Sequence, residues 1–173
     1  CKVSGKSKGA SGKGSIVGFI GGLGEASDIA YSRADVSLVV EANARGVADV
    51  GGFIGKGKGN KNEDTVIKNC YATGNVTGGS YIGGFAGSLW GLNIKNCYAT
   101  GNVTQAVASM ASFVGTDASA GYGYGSVKNC YSTGSVIGTV AYRYAFAMQD
   151  ATERSEITNC YFADGNLEVK NAH

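Results

Sequence analysis

The 173 residues hold 15 basic and 13 acidic side chains, and a formal charge of +2 is too small to select a nucleic acid as partner. With 43% hydrophobic and 16% charged residues, the composition is that of a folded chain and not of a disordered one. Twenty-nine glycines without a proline exclude collagen and proline-rich linkers, and no run approaches the roughly 18 apolar residues of a membrane-spanning helix.

In chain order, Cys1 to Gly9 (CKVSGKSKG) matches Cys70 to Gly78 (CYATGNVTG) at the cysteine and both glycines, so the chain opens in the middle of a repeat. It is expected to be a segment of something longer. Ile16 to Gly21 (IVGFIG) is the first of several phenylalanine elements, followed by Val50 to Gly55 (VGGFIG), Ile82 to Gly87 (IGGFAG), Met110 to Gly115 (MASFVG) and a fading Tyr144 to Met148 (YAFAM). Between them run the cysteine-tyrosine elements. Ile67 to Val76 reads IKNCYATGNV, Ile94 to Val103 repeats it letter for letter, and Val127 to Val136 reads VKNCYSTGSV. A looser copy begins at Ile157 (ITNCYFADGNL), and Ser27 to Val36 (SDIAYSRADV) is laid beneath with Ala30 at the cysteine position. The repeats are thus anchored at Cys1, Ala30, Cys70, Cys97, Cys130 and Cys160 within one segment covering residues 1–173. A period of 20 to 50 residues is the mark of solenoids, propellers or arrays.

Short apolar runs bounded by glycine and rich in Val, Ile, Phe, Tyr and Thr read as strands. The best helix candidate, Arg33 to Asp49, has Val36, Leu38 and Val40 in strand alternation. Two or three short strands in each repeat of about 30 residues make a coil that climbs one rung of roughly 4.8 Å. The prediction is an all-β, right-handed parallel β-helix (β-solenoid) of about five to six rungs. In such a coil like stacks on like. Ile67, Ile94, Val127 and Ile157 form one inward column, Val76, Val103, Val136 and Leu167 another, and the phenylalanines a third. Asn69, Asn96, Asn129 and Asn159 are expected to stack at a bend. Glycines 74, 101 and 134, with the pairs Gly51-Gly52 and Gly83-Gly84, either turn the chain at positive φ or let backbones approach closely. The stretches KGKGNKNEDT, after Phe53, and TDASAGYGYGS, after Phe113, lengthen two repeats and are expected on one side of the coil, where repeat proteins carry variable function.

These elements resemble the GLUG-motif repeats of bacterial cell-surface and secreted proteins, whose usual form ends in GGLVG where this chain has GGFIG and GGFAG. The resemblance implies an exported, adhesin-like protein, or the non-catalytic repeat region of a larger secreted protein such as the immunoglobulin A peptidases. Its motif residues are scaffold, so it implies no catalytic position. Met110 to Gly115 and Tyr144 to Met148 lack the double glycine, a departure from the pattern.

Chemistry is sparse. A straight column of cysteines cannot offer four sulfurs tetrahedrally to one zinc, and the lone His173 is terminal. A rung spacing near 4.8 Å admits disulfides between neighbouring rungs, but parallel side chains hold the Cβ atoms farther apart than a disulfide prefers, so the cysteines read as buried free thiols, small hydrophobes in a place where Ala30 also suffices. Tyr31, Tyr71, Tyr98, Tyr131 and Tyr161 follow the cysteines and therefore face outward, as a self-stacking ladder or a surface for sugars. Lys68, Lys95 and Lys128 align on an outer, solvated face. Trp90, Tyr122 and Tyr124 lie in connections and are placed to meet a partner. The acidic residues never recur at one coil position; Glu63, Asp64 and Asp117 read as solubilising loop residues.

The sequence therefore predicts an extracellular structural and adhesive module, not an enzyme, with no cofactor and no metal. Its partner is a host-surface or matrix protein or glycan, bound through Trp90, Tyr122, Tyr124, Tyr71, Tyr98 and Tyr131; no nucleic acid and no membrane span are expected. End-to-end self-association through open coil ends is expected. The alternatives are a non-catalytic stalk of a larger secreted enzyme and, third, a carbohydrate-active β-helix enzyme.

Overall fold

The computed structural model describes residues 1–9, 14–23, 28–40, 48–59, 65–104, 106–117, 125–140, 142–149 and 155–163. The described residues form strands joined by bends, with no helix among them, and every strand pairing is parallel to an equivalent strand of the neighbouring repeat. One repeat runs Val66–Lys68, Tyr71–Ala72, Val76–Thr77, Tyr81–Gly83 and Ala86–Trp90. Each of these strands lies in register on its counterpart, so Tyr98 sits on Tyr71, Val103 on Val76 and Ile94 on Ile67. The result is a parallel β-solenoid. Three sheets hold five strands each, giving about four turns of about 32 residues. This is slightly fewer than the expected five to six.

Two packed cores fill the coil. Phe53, Phe85 and Phe113 are fully buried with Ile67, Ile94 and the cysteines in one, while Leu38, Val50, Val76, Ile82, Val103 and Met110 fill the other. The phenylalanine rings from Phe19 to Phe146 stack in a continuous column with centroids 4.7 to 5.0 Å apart. That spacing is the rung itself, so each ring packs on its own counterpart. Of the expected valine column, Val76, Val103 and Val136 are buried and Leu167 lies outside the described residues.

Small residues stand where the inner walls approach each other. A side chain added at Gly52 would meet the Ala72 Cβ at 3.0 Å and one at Gly84 the Ala99 Cβ at 3.2 Å, while their Cβ atoms would overlap the carbonyl oxygen of the next rung. In the following rung Ser112 and Ser132 fill the same places and share a hydrogen bond of 2.5 Å. Close approach, not positive φ, is therefore what these glycines supply. The positive φ falls to asparagine: Asn69, Asn96, Asn129 and Asn159 all lie at 51 to 55°. Their amides bond along the axis as expected, at 3.1, 3.2 and 3.3 Å.

The register corrects one alignment. Ile29 pairs with Ile67 and Ala30 with Lys68, while Arg33 pairs with Tyr71. Ser32, not Ala30, therefore occupies the cysteine column, and Tyr31 stands at the asparagine corner with φ 53°. The first copy was laid two residues out of place. Arg33–Val40 forms an unbroken strand with alternating burial, as its pattern predicts. Later rungs split the same stretch in two, because Gly74, level with Val36, bends the chain.

Candidate binding face

Burial of Cys70, Cys97 and Cys130 turns the following tyrosines outward, since neighbouring side chains on a strand point to opposite faces. Tyr71 and Tyr98 stack at 4.6 Å and 5°, Tyr98 and Tyr131 at 4.9 Å and 7°. Arg33 closes the Tyr71 end, donating from Nη1 to the tyrosine hydroxyl at 3.0 Å with its guanidinium carbon 5.8 Å from the ring centre. Partial burial, with Tyr71 and Tyr131 on either side, pushes the Tyr98 hydroxyl above its ordinary pKa.

The stack stops at Tyr131. Tyr161 pairs with it through the backbone, its N–H donating to Cys130 at 3.0 Å, yet Tyr161 is 70% exposed. Tyr131 and Tyr161, with Asn129, Cys130 and Asn159, line a cleft of about 430 Å³. Tyr161 belongs to the outward tyrosine column read from the sequence, whereas Asn129 and Asn159 are expected there only as a stacked corner. The available signal was Phe162: it stands in register with Ser132, in the column of Ala72 and Ala99, where the narrow interior admits only a small side chain. Phe162 is 44% exposed.

Of the other expected contacts, Trp90 is the last residue of a strand and not part of a connection. Its ring lies under the Lys56 ammonium, 4.3 Å from Nζ to the centroid. Tyr122 and Tyr124 lie outside the described residues, as do Glu63 and Asp64. The described parts of the two long stretches end in one sheet, on Ile54–Lys58 and Val114–Asp117, and the rest of both lies outside the described residues. Asp117 contradicts its expected loop role. It ends a strand, is 3% exposed, and accepts the Ser155 N–H at 2.9 Å. Lys68, Lys95 and Lys128 are in register on the outer face, and Lys128 pairs with Glu156 at 2.7 Å.

All five cysteines are free. Each described inner thiol donates to the carbonyl two residues before it, Cys70 to Lys68 at 3.2 Å, Cys97 to Lys95 at 3.3 Å and Cys130 to Lys128 at 3.2 Å. Ser32 makes the same bond to Ala30 at 3.1 Å. Among the described residues no group of three or more His, Cys, Asp or Glu is arranged to hold a metal ion.

Two consecutive stretches, residues 46–77 and 78–104, match the family model for the GLUG motif. The chain carries GLUG repeats. The boundary between the two matches falls after Thr77, so each GLUG unit comprises a phenylalanine element and the cysteine-tyrosine element that follows it. No curated protein and no solved structure matches the chain. In both GLUG units the shared residues are spent on stacking: Phe53 and Phe85 in the core, Asn69 and Asn96 at the corner, Tyr71 and Tyr98 on each other.

Proposed function

We propose that this GLUG-repeat solenoid is a non-catalytic structural and adhesive module, right-handed in its winding, working outside a bacterial cell. It binds a host-surface or matrix protein or glycan through its connections and its aromatic outer face. The observation that supports the reading is the outer face itself, where tyrosine, asparagine and lysine columns stand side by side at one-rung intervals. Such a surface is rigid before it meets a partner, which lowers the entropic cost of binding.

A second reading, a stalk that spaces the domains of a larger secreted enzyme, draws on the tyrosines being stacked on one another. Glycan arrays and host-cell binding separate the two. The chain is expected to bind, and Trp90→Ala or the double variant Tyr122→Ala, Tyr124→Ala to bind less. An unaltered chain that binds no glycan, matrix protein or cell surface would favour the stalk. Turnover of a polysaccharide would overturn both.

A further inference from the structure

We infer that the cleft between Tyr131 and Tyr161 is a subsite for one neutral hexopyranose ring, which lies on the free face of Tyr131 and is held by the amides of Asn129 and Asn159. The inference rests on the adhesive reading and narrows it to one place and one ligand class.

A sugar stacks its C–H face on an aromatic ring, so the ring must have a face to give. Along the tyrosine column few are left. At centroid spacings of 4.6 and 4.9 Å the inner faces of Tyr71, Tyr98 and Tyr131 are already in contact with each other. Arg33 sits at the Tyr71 end and Lys56 over Trp90. Tyr131 stacks on Tyr98 by one face, and toward Tyr161 it and its neighbour line the cleft without a ring stack between them. Phe162, though in register with Ser132, is 44% exposed and does not fill the buried place that Ala72 and Ala99 take in earlier rungs, so this rung departs from the repeat in its side chains while its backbone ladder stays intact.

The lining fits a polyol. Asn159 donates from Nδ2 to Asn129 Oδ1 at 3.3 Å, and Asn129 donates onward to Asn96 at 3.2 Å. Each amide has a second N–H beyond the one in the ladder, so donors remain for ring hydroxyls. The five lining residues include no acidic or basic side chain, which sets a charged ligand aside. The cleft, about 430 Å³ and open to solvent on one side, has room for one ring.

The test is an NMR titration of the 173-residue chain with methyl glucoside, methyl galactoside, methyl mannoside and N-acetylglucosamine, with phenol as the planar control. At least one sugar is expected to shift the Tyr131 ring and the Asn129 and Asn159 side-chain amides saturably. Tyr161→Ala, a change at an exposed ring, should weaken that binding about tenfold, while Tyr142→Ala, at an exposed ring in a different sheet, leaves it unchanged. The inference is overturned if no sugar moves these signals, if Tyr161→Ala binds like the parent, or if phenol alone occupies the cleft. Should glycan arrays still light up in any of those cases, the adhesive reading stands without this subsite. Empty arrays and no binding to matrix protein or cells, beside saturable shifts, would reject the adhesive reading and keep the cleft.

Discussion

The Cys97 sulfur accepts the backbone N–H of Cys70, one rung away at 3.4 Å, while its own S–H points to the Lys95 carbonyl at 3.3 Å. Cys130 serves Cys97 in the same way. The thiol is therefore more than a small hydrophobe. It supplies the acceptor for a backbone donor buried where water cannot reach, and burial keeps it protonated by pushing its pKa well above the usual thiol value. Cys97→Ser should retain both bonds, as Ser32 retains its own to Ala30. Cys97→Ala should cost about 1 to 3 kcal/mol by leaving the Cys70 N–H without a partner. Urea unfolding is expected to rank parent and serine variant together, with alanine below; equal losses for both would show that only packing matters.

Tyr31 occupies, at φ 53°, the left-handed corner that asparagine fills in the four later rungs, and it is 76% exposed. Its ring has little packing to lose. For an ordinary L-residue this conformation is costly, whereas asparagine visits it readily. Tyr31→Asn should therefore raise stability by about 1 kcal/mol, and more if its amide joins that of Asn69. A higher urea midpoint for the variant is the expected result. An unchanged or lower midpoint would mean that Tyr31 makes contacts that outweigh its backbone strain.

Most of the architecture was legible because a repeat states the same instruction several times. The identical IKNCYATGNV stretches fix the strand columns, and Val36, Leu38 and Val40 announce their alternation directly. The first copy misled because Tyr31 was matched to the tyrosine column by residue type. Its true register is carried by apolar residues: Ile29 on Ile67, Ala34 on Ala72, Leu38 on Val76. Burial sets register more strongly than an exposed aromatic does. A second asparagine ladder has no such signature in the sequence. Asn75 and Asn102 accept the N–H of the next rung at 2.9 Å, a pairing that adjacent sequence does not reveal. The cleft was hidden for a related reason. It arises from what fails to stack, and the repeat consensus draws attention to what does.

Gly101 lies beneath no side chain of its own column, and a Cβ there would come within 1.9 Å of the Gly74 carbonyl oxygen. The obstacle is backbone, which cannot swing aside as a side chain would. Gly101→Ala must push two rungs apart and should destabilise by about 1 to 3 kcal/mol or more. The measurement is the urea midpoint, with loss of cooperativity as a second sign that the coil has separated at this rung. A variant as stable as the parent would show that the bend can be relieved without moving the neighbouring rung.

The tyrosine ladder also predicts a dependence on alkaline pH. Tyr98 lies between two other tyrosines, and burial together with their charge raises its pKa above the ordinary tyrosine value of about 10 in the folded chain. The sign follows from the protons bound: in the window above 10 the unfolded tyrosine releases its proton first, so the folded state holds the excess proton. Stability is complete below the unfolded value and is lost as pH rises through the folded one. Tyr98→Phe keeps the stacked ring and removes the hydroxyl, so its stability should fall less steeply than that of the parent across the same window. Lysine deprotonation contributes equally to both proteins and cancels in the comparison. Urea midpoints from neutral pH upward, with phenolate absorbance recorded alongside, supply the check. Parallel curves for the two proteins would show that Tyr98 ionises as freely in the stack as in the unfolded chain.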